Sequence, residues 1–392
     1  MTQFVTKFKD NFALLRIVGS DLDLNTYLVE FINEDNGNIE YYDILKVNYW
    51  AKLNNIEDKN ITIKVKVEDG VVFERNRHTK FNKVYVKFGT TALGDTVAWI
   101  PYVEEYRIKH NVKVYLFTHF NFLFNKAYPD IEFVDISNPN LINDVDMKFR
   151  IDYGPNLYIL NDEISPELWK KENEEYDNYV DDYDYRKISL QSIAKVVLGS
   201  DKDEIKPIVN IDNDNGPRIK GKYVVVAIQS TAQLKYWNNP FGWERVFDFL
   251  GKNGYKIVLI DKHKVFGIIG SFNQAPKSKF VIDKTGDYSL NDRVIDIKYA
   301  DMVVTISSGL AWLSWAVGTP VIMISGFTDP SNEFQSNIIR IHNKSVCNSC
   351  WNDPNLFYNP TDWMFCPRNN NFVCSKVIQP KEVTDAIKKL MK

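Results

Sequence analysis

Between Met302 and Ile324 the chain reads MVVTISSGLAWLSWAVGTPVIMI. The apolar runs Met302 to Ile306 and Val321 to Ile324 read as buried strands, and Leu310 to Val317 between them reads as a helix. That connection is too long for a hairpin and too apolar for a loop, so the two strands must lie parallel with the helix as their crossover. This stretch commits its region to an α/β fold. Ser307, Ser308 and Gly309 fall where the first strand ends and the helix begins. Open α/β sheets bind ligands at such points, because free backbone N–H groups and the helix dipole attract phosphate. A plain βαβ unit whose serines only cap the helix fits the same pattern.

The β-α-β order recurs elsewhere. KVYVKFG from Lys83 reads as a strand, Thr90 to Thr96 as a small-residue loop, VAWIPYVEEYRIKH as an amphipathic helix and VKVYLFTH as the next strand. Gly94 and Asp95 sit at the mouth of that helix, where Asp95 can either cap it or stand over a cleft as a general base. A further unit starts at Lys222: the strand YVVVAIQS ends in Gln229, Ser230 and Thr231, with Lys235 just beyond. The helix GWERVFDFLGKNG, the strands KIVLID and KFVID, the loop Lys284-Thr285-Gly286 and the helix LNDRVIDIKYA complete it. Both units put small polar loops at strand carboxyl ends, so two such domains facing each other form one cleft. Residues 1–80 alternate in short β-branched runs broken by Asp-Asn-Gly and Asp-Gly, which predicts an antiparallel or barrel-like module for packing, assembly or partner binding. Residues 161–187 are acidic and hydrophilic, reading as a solvated helix and loop, and 210–221 reads as a linker. The expected division is a β-rich module at 1–80, a first α/β domain at 81–215, a second α/β domain at 216–340, and a cysteine finger with a C-terminal helix at 341–392.

Several function classes lose support. A net charge of −3 gives no general attraction to nucleic acid or anionic membrane. No apolar run reaches the roughly 18–20 residues of a membrane span. MTQFVTKFKDNF lacks a signal-peptide core, so a cytoplasmic location is expected. Neither GxGxxG nor GxxxxGK[ST] occurs, nor a GxSxG elbow, and no histidines stand at HExxH spacing.

All four cysteines lie in one short segment: Cys347, Cys350, Cys366 and Cys374. A CxxC knuckle followed by two more thiols suits a closed, tetrahedral structural metal site, with zinc or iron as occupant. Two disulfides are the alternative, which a cytoplasmic setting disfavours. The flanking aromatics Trp351, Phe357, Tyr358, Trp363, Phe365 and Phe372 are too little core for such a loop, so the metal is expected to fold it.

Taken together, GTTALGDTVAWIPYVEEYRIKH, DYRKISLQSIAKVVLG, YWNNPFGWERVFDFL, the run VIDKTGDYSL through GFTDPSNEF, and the four-cysteine segment resemble the bacterial autotransporter heptosyltransferases. These are GT-B glycosyltransferases related to the ADP-heptose:lipopolysaccharide heptosyltransferases, and the resemblance spans about residues 80 to 380. It implies a GT-B fold of two Rossmann-like domains. The implied reaction is transfer of heptose from ADP-D-glycero-β-D-manno-heptose to serine hydroxyls of an autotransporter-type protein. It also implies iron in the cysteine site, a large ring-like homo-oligomer, and catalysis without a divalent metal. By the same resemblance Asp95, between Gly94 and Thr96, is the general base. Ser307, Ser308 and Gly309 form the phosphate-facing turn, and Lys235 and Lys284 are candidates for the cation that meets the leaving ADP. Gln229, Ser230, Thr231, Thr285, Gly286 and the loop from Gly326 to Glu333 line the donor. Trp237 can stack on sugar or adenine, or belong to the core. The acidic tract at 176–185 and the Asn- and Lys-rich composition depart from the family. They leave open a lipopolysaccharide core or another glycan as acceptor, and a non-catalytic nucleotide-sugar-binding scaffold as the other role.

Overall fold

The computed structural model describes residues 2–8, 11–20, 22–68, 70–77, 81–135, 145–153, 184–268, 271–356 and 365–391. Most of the acidic tract, and Phe357, Tyr358 and Trp363 of the cysteine segment, lie outside the described residues.

The N-terminal part is antiparallel. Strands β1 (Gln3–Phe8), β2 (Phe12–Val18) and β5 (Trp50–Asn54) form one sheet. A second has the order β4 (Asn38–Leu45), β3 (Tyr27–Asn33), β6 (Ile61–Val67) and β7 (Gly70–Asn76). Alternating residues of both sheets, among them Leu15, Ile17, Val29, Phe31, Ile63 and Val65, share one buried core.

Two parallel sheets follow. The first has the order β10 (Ile131–Phe133), β9 (Lys113–Phe117), β8 (Lys83–Phe88), β11 (Met147–Ile151), with helix α1 (Leu93–His110) crossing between β8 and β9. Helix α2 (Leu190–Leu198) packs beside α1, started by the Ser189 side chain on the Ser192 N–H. The second sheet has six parallel strands: β16 (Val281–Asp283), β13 (Lys256–Leu259), β12 (Tyr223–Ala227), β17 (Met302–Ile306), β18 (Val321–Ile324) and β19 (Ile338–Ile341). The chain winds outward from β12 in one direction, then returns to β17 and winds outward in the other. The switch point therefore lies between β12 and β17, where their carboxyl ends diverge. Helices α3 (Gly242–Lys252), α4 (Leu290–Lys298) and α5 (Gly309–Val317) make the crossovers. Strands β17 and β18 and the crossover α5 match the sequence reading. Between β13 and β16 the sequence reading had no counterpart for an antiparallel hairpin, β14 (Val265–Ile268) with β15 (Ser271–Gln274), whose short apolar runs are broken by Gly267 and Gly270.

One continuous core joins the two α/β units, with Trp99 of α1, Leu190 of α2, Val225 of β12 and Trp312 and Trp315 of α5 all buried in it. After the short helix α6 (Val373–Lys376), the C-terminal helix α7 (Pro380–Leu390) joins α3 in covering the far face of the six-stranded sheet. Trp237 belongs there. It is 4% exposed, meets Trp243 edge-on at 5.2 Å and donates its indole N–H to the Ile378 carbonyl at 3.1 Å, so it is a core residue. Among the described residues no helix is long and apolar enough to cross a membrane.

Candidate active site

The site is built where α1 and α5 begin. A Cβ added to Gly309 would stand 2.9 Å from the Leu93 Cβ and 3.1 Å from the Gly94 nitrogen. One added to Gly94 would stand 3.1 Å from Trp312 and 3.4 Å from the Gly309 Cα. Two glycines thus let the first turns of helices from opposite domains touch, which brings both N-terminal dipoles to one point of the cleft.

Asp95 is the third residue of α1. The N-cap is Ala92, whose side chain can make no capping bond, so Asp95 is not the cap; its carboxylate accepts the Thr90 hydroxyl at 2.8 Å instead. Burial pushes the Asp95 carboxyl up to about 6, with Thr90, Tyr153 and the Lys235 charge pulling it down and Asp152 adding to the rise. Lys235 is half-buried. Burial lowers its pKa while the charges of Asp95 and Glu333 oppose that. Among the described residues its ammonium makes no hydrogen bond or ion pair, which leaves it to answer a charge brought by a ligand.

Ser307 and Ser308 take different roles. The Ser307 hydroxyl donates to Glu333 at 2.6 Å; Glu333 also accepts from Thr328 at 2.8 Å and Arg340 at 2.7 Å, all inside the domain. Glu333 therefore braces the turn from behind. Ser308, the N-cap of α5, makes no capping bond, and its buried hydroxyl has no partner among the described residues. The side-chain Oε1 of Gln229, two residues past β12, is likewise buried and has no partner among the described residues. Beside it, buried Asp261 accepts the backbone N–H groups of Ile228 and Gln229, each at 2.9 Å, which fixes the switch point. Unpaired polar atoms at a helix start and a strand end are the expected lining for a polar ligand.

Other expected site residues are occupied. Lys284 spans both oxygens of buried Asp296, at 2.9 and 2.8 Å, and Asp296 also pairs with Arg218 at 3.0 Å. Thr285 donates to Asp283 at 2.6 Å, and Gly286, at φ +102°, presents its carbonyl to Arg293 at 2.7 Å. Thr96 is turned back to the Ala92 carbonyl at 3.2 Å. The Ser230 carbonyl takes the Tyr236 hydroxyl at 3.1 Å, and Thr231 is exposed. Gly326 faces Cys374, where an added Cβ would lie 3.0 Å from the sulfur. So the structure gathers Gly94, Asp95, Lys235, Ser307, Ser308 and Gly309, and it ties Lys284 to Gly286 into the framework around Asp296. Sequence reasoning missed Thr90, Tyr153, Asp261 and Arg340. An arginine inside the short apolar strand IIRI was the available signal for a buried carboxylate partner.

The four cysteines are free thiols gathered at one place, close enough that each of the other three adds to the Cys374 shift. Burial leads that shift, pushing Cys374 up to about 12. The Asn370 backbone N–H points at the Cys366 sulfur at 3.3 Å, and its side-chain amide at Cys347 at 3.1 Å. Among the described residues no three His, Cys, Asp or Glu groups stand at ligating spacing. The donor set itself, four sulfurs met by N–H donors, fits iron or zinc. The segment is not an appendage. Ser349 and Trp351 bond the Gly326 and Phe327 carbonyls, in the loop after β18, at 2.7 and 3.0 Å. Arg186, just before α2, reaches the Pro354 carbonyl at 3.0 Å.

Known proteins share this architecture. Residues 179–355 match the family description "Glycosyltransferase family 9 (heptosyltransferase)". The autotransporter heptosyltransferase Aah of Escherichia coli is 31% identical over 369 residues, 92% of this chain and 88% of that protein. The structure of TibC from enterotoxigenic E. coli, a dodecameric iron-containing heptosyltransferase in complex with ADP-D-β-D-heptose, superposes with a TM-score of 0.76 at 26% identity, covering 99% of this chain and 95% of TibC. The E. coli ADP-heptose lipopolysaccharide heptosyltransferase II shares the fold, with a TM-score of 0.55 at 12% identity over 79% of this chain and 98% of that one.

Proposed function

The chain belongs to the autotransporter heptosyltransferases, and we propose that it moves heptose from ADP-D-glycero-β-D-manno-heptose to serine hydroxyls of an autotransporter-type protein, with Asp95 as general base. The observation that carries this reading is a buried carboxylate with its pKa raised to about 6, set at the meeting point of two helix N-termini beside an unpaired lysine.

A serine hydroxyl is a poor nucleophile until its proton is taken during attack. A carboxylate titrating near 6 is ionised at neutral pH and a stronger base than a solvated one. The serine oxygen bonds to the anomeric carbon as the bond from that carbon to the β-phosphate oxygen breaks. The proton passes to Asp95 and the electron pair leaves with ADP. Charge growing on the β-phosphate is met by the start of α5, the Ser308 hydroxyl and Lys235, with no divalent metal in the step. Cys347, Cys350, Cys366 and Cys374 would hold iron, or zinc in its place, as a structural cross-link of the finger. A large homo-oligomer working in the cytoplasm completes the proposal.

The test offers ADP-heptose, UDP-glucose and GDP-mannose in parallel, with a serine-rich autotransporter passenger fragment as acceptor, and follows nucleotide release. ADP released from ADP-heptose alone, and lost in Asp95→Asn, is the expected result. Unchanged turnover in Asp95→Asn would remove the base assignment; release from a different donor would remove the sugar.

A further inference from the structure

The environment of Asp95 reaches into the cysteine finger. Tyr153 lies just past β11, and its ring is held edge-on by three others: Trp99 of α1 at 5.9 Å, Tyr185 at 5.7 Å and Trp351 at 5.5 Å. Trp351 directly follows Cys350. Its ring also meets Tyr185 at 4.9 Å and Phe327 at 5.9 Å. The cluster is anchored on every side. The Trp99 indole N–H is fixed on the Leu190 carbonyl at 2.8 Å, and the Asn352 amide, one residue past Trp351, bonds the Arg186 carbonyl at 3.2 Å. A ring held edge-on by three neighbours is fixed in place; Trp99 stands four residues past Asp95 on the same face of α1, so Tyr153 is set against the face that carries the carboxylate, and its hydroxyl favours the ionised form of Asp95.

We infer that Tyr153 is a positioning residue for the Asp95 carboxylate, and that Trp351, carried by the cysteine finger, holds Tyr153 in place. The inference rests on Asp95 being the general base. The groups facing Asp95 are the Thr90 and Tyr153 hydroxyls, the Lys235 ammonium and the Asp152 carboxylate, the last paired with Arg150 at 2.9 Å. Tyr153 favours the ionised form of Asp95. Without its hydroxyl the carboxyl keeps its proton to higher pH, so the acid limb of kcat/KM must move upward.

The experiment is a pH profile of ADP release from ADP-heptose, with the serine-rich passenger fragment as acceptor and all variants compared at equal metal content. Tyr153→Phe keeps the ring and removes the hydroxyl. Its acid limb is expected to rise by about 0.5–1 unit, with a several-fold loss at pH 6 that fades by pH 8.5. Trp351→Ala is expected to move the limb the same way, Trp351→Phe to restore it, and the double variant Tyr153→Phe/Trp351→Ala to shift it no further than Tyr153→Phe alone. A limb unmoved in Tyr153→Phe, with activity lowered evenly at all pH values, overturns the positioning role while leaving the base intact. Shifts that add in the double variant overturn the link through Trp351. If Trp351→Ala does not fold, Trp351→Leu, which keeps apolar bulk and removes the ring, replaces it both alone and in the double variant. Asp95→Asn, run beside them, reports on the base alone: turnover there overturns the base reading, whatever Tyr153 does.

Discussion

At the scale of single residues, two lysines expected in similar roles have different surroundings. Lys284 neutralises Asp296, which is 2% exposed and shared with Arg218, whereas Lys235 stands half-buried with only the longer-range pull of Asp95 and Glu333. Removing a partner from a buried carboxylate is destabilising, while removing an unpaired half-buried cation relieves a desolvated charge. Lys284→Ala is therefore expected to lower stability by about 2–4 kcal/mol in urea titration and to keep most of its turnover. Lys235→Ala is expected to unfold no earlier than the parent and to lose on the order of 100-fold in kcat/KM, the scale of one lost charge-stabilising donor. The reverse pattern would assign the leaving-group cation to Lys284. The family resemblance named both lysines. It could not show which was already spoken for, since Asp296 is on the far end of α4 and meets Lys284 only once that helix has packed. Asp95 was legible from its place at a helix mouth; Tyr153, its partner from another strand end, carried no local mark.

At the scale of elements, the contact between the starts of α1 and α5 makes one cleft of two βαβ units. Neither Gly94 nor Gly309 is held at a positive φ. Alanine at either would gain about 1 kcal/mol in helix propensity, so the contact decides the sign. Gly309→Ala drives a methyl against the Leu93 Cβ and the Gly94 backbone, whereas Gly94→Ala meets chiefly the edge of Trp312. Gly309→Ala is expected to weaken ADP-heptose binding by about tenfold or more, a loss near 1.4 kcal/mol, in calorimetric titration. Gly94→Ala should lose less, and equal tight binding in both would show that the helix starts need not touch. The strands and crossover of this region were legible because burial on both faces leaves a purely apolar run. The meeting of two helices from units far apart in sequence leaves none.

At the scale of the whole molecule, the cysteine segment bridges the two halves: Gly326 and Phe327, after β18, hold it on one side, and Arg186 and Tyr185, before α2, on the other. Its four thiols were legible in the sequence, but not that the segment would join the two α/β units, because its partners are spread through the preceding chain. Removal of the metal by a chelator is expected to split a single calorimetric unfolding transition into two, the bridge being lost while each α/β sheet stays intact. A transition that stays single after complete removal would show that the shared core alone couples the halves. The Trp351–Tyr153 contact also bears on how the protein is made. Domains form as synthesis proceeds from the N-terminus, so Asp95 and its helix leave the ribosome early and Trp351 close to the end. A nascent chain can hold the folded four-stranded sheet for most of its translation, yet Asp95 acquires its full surroundings only when the last segments arrive. Competence to handle sugar is thereby deferred until the chain is nearly finished.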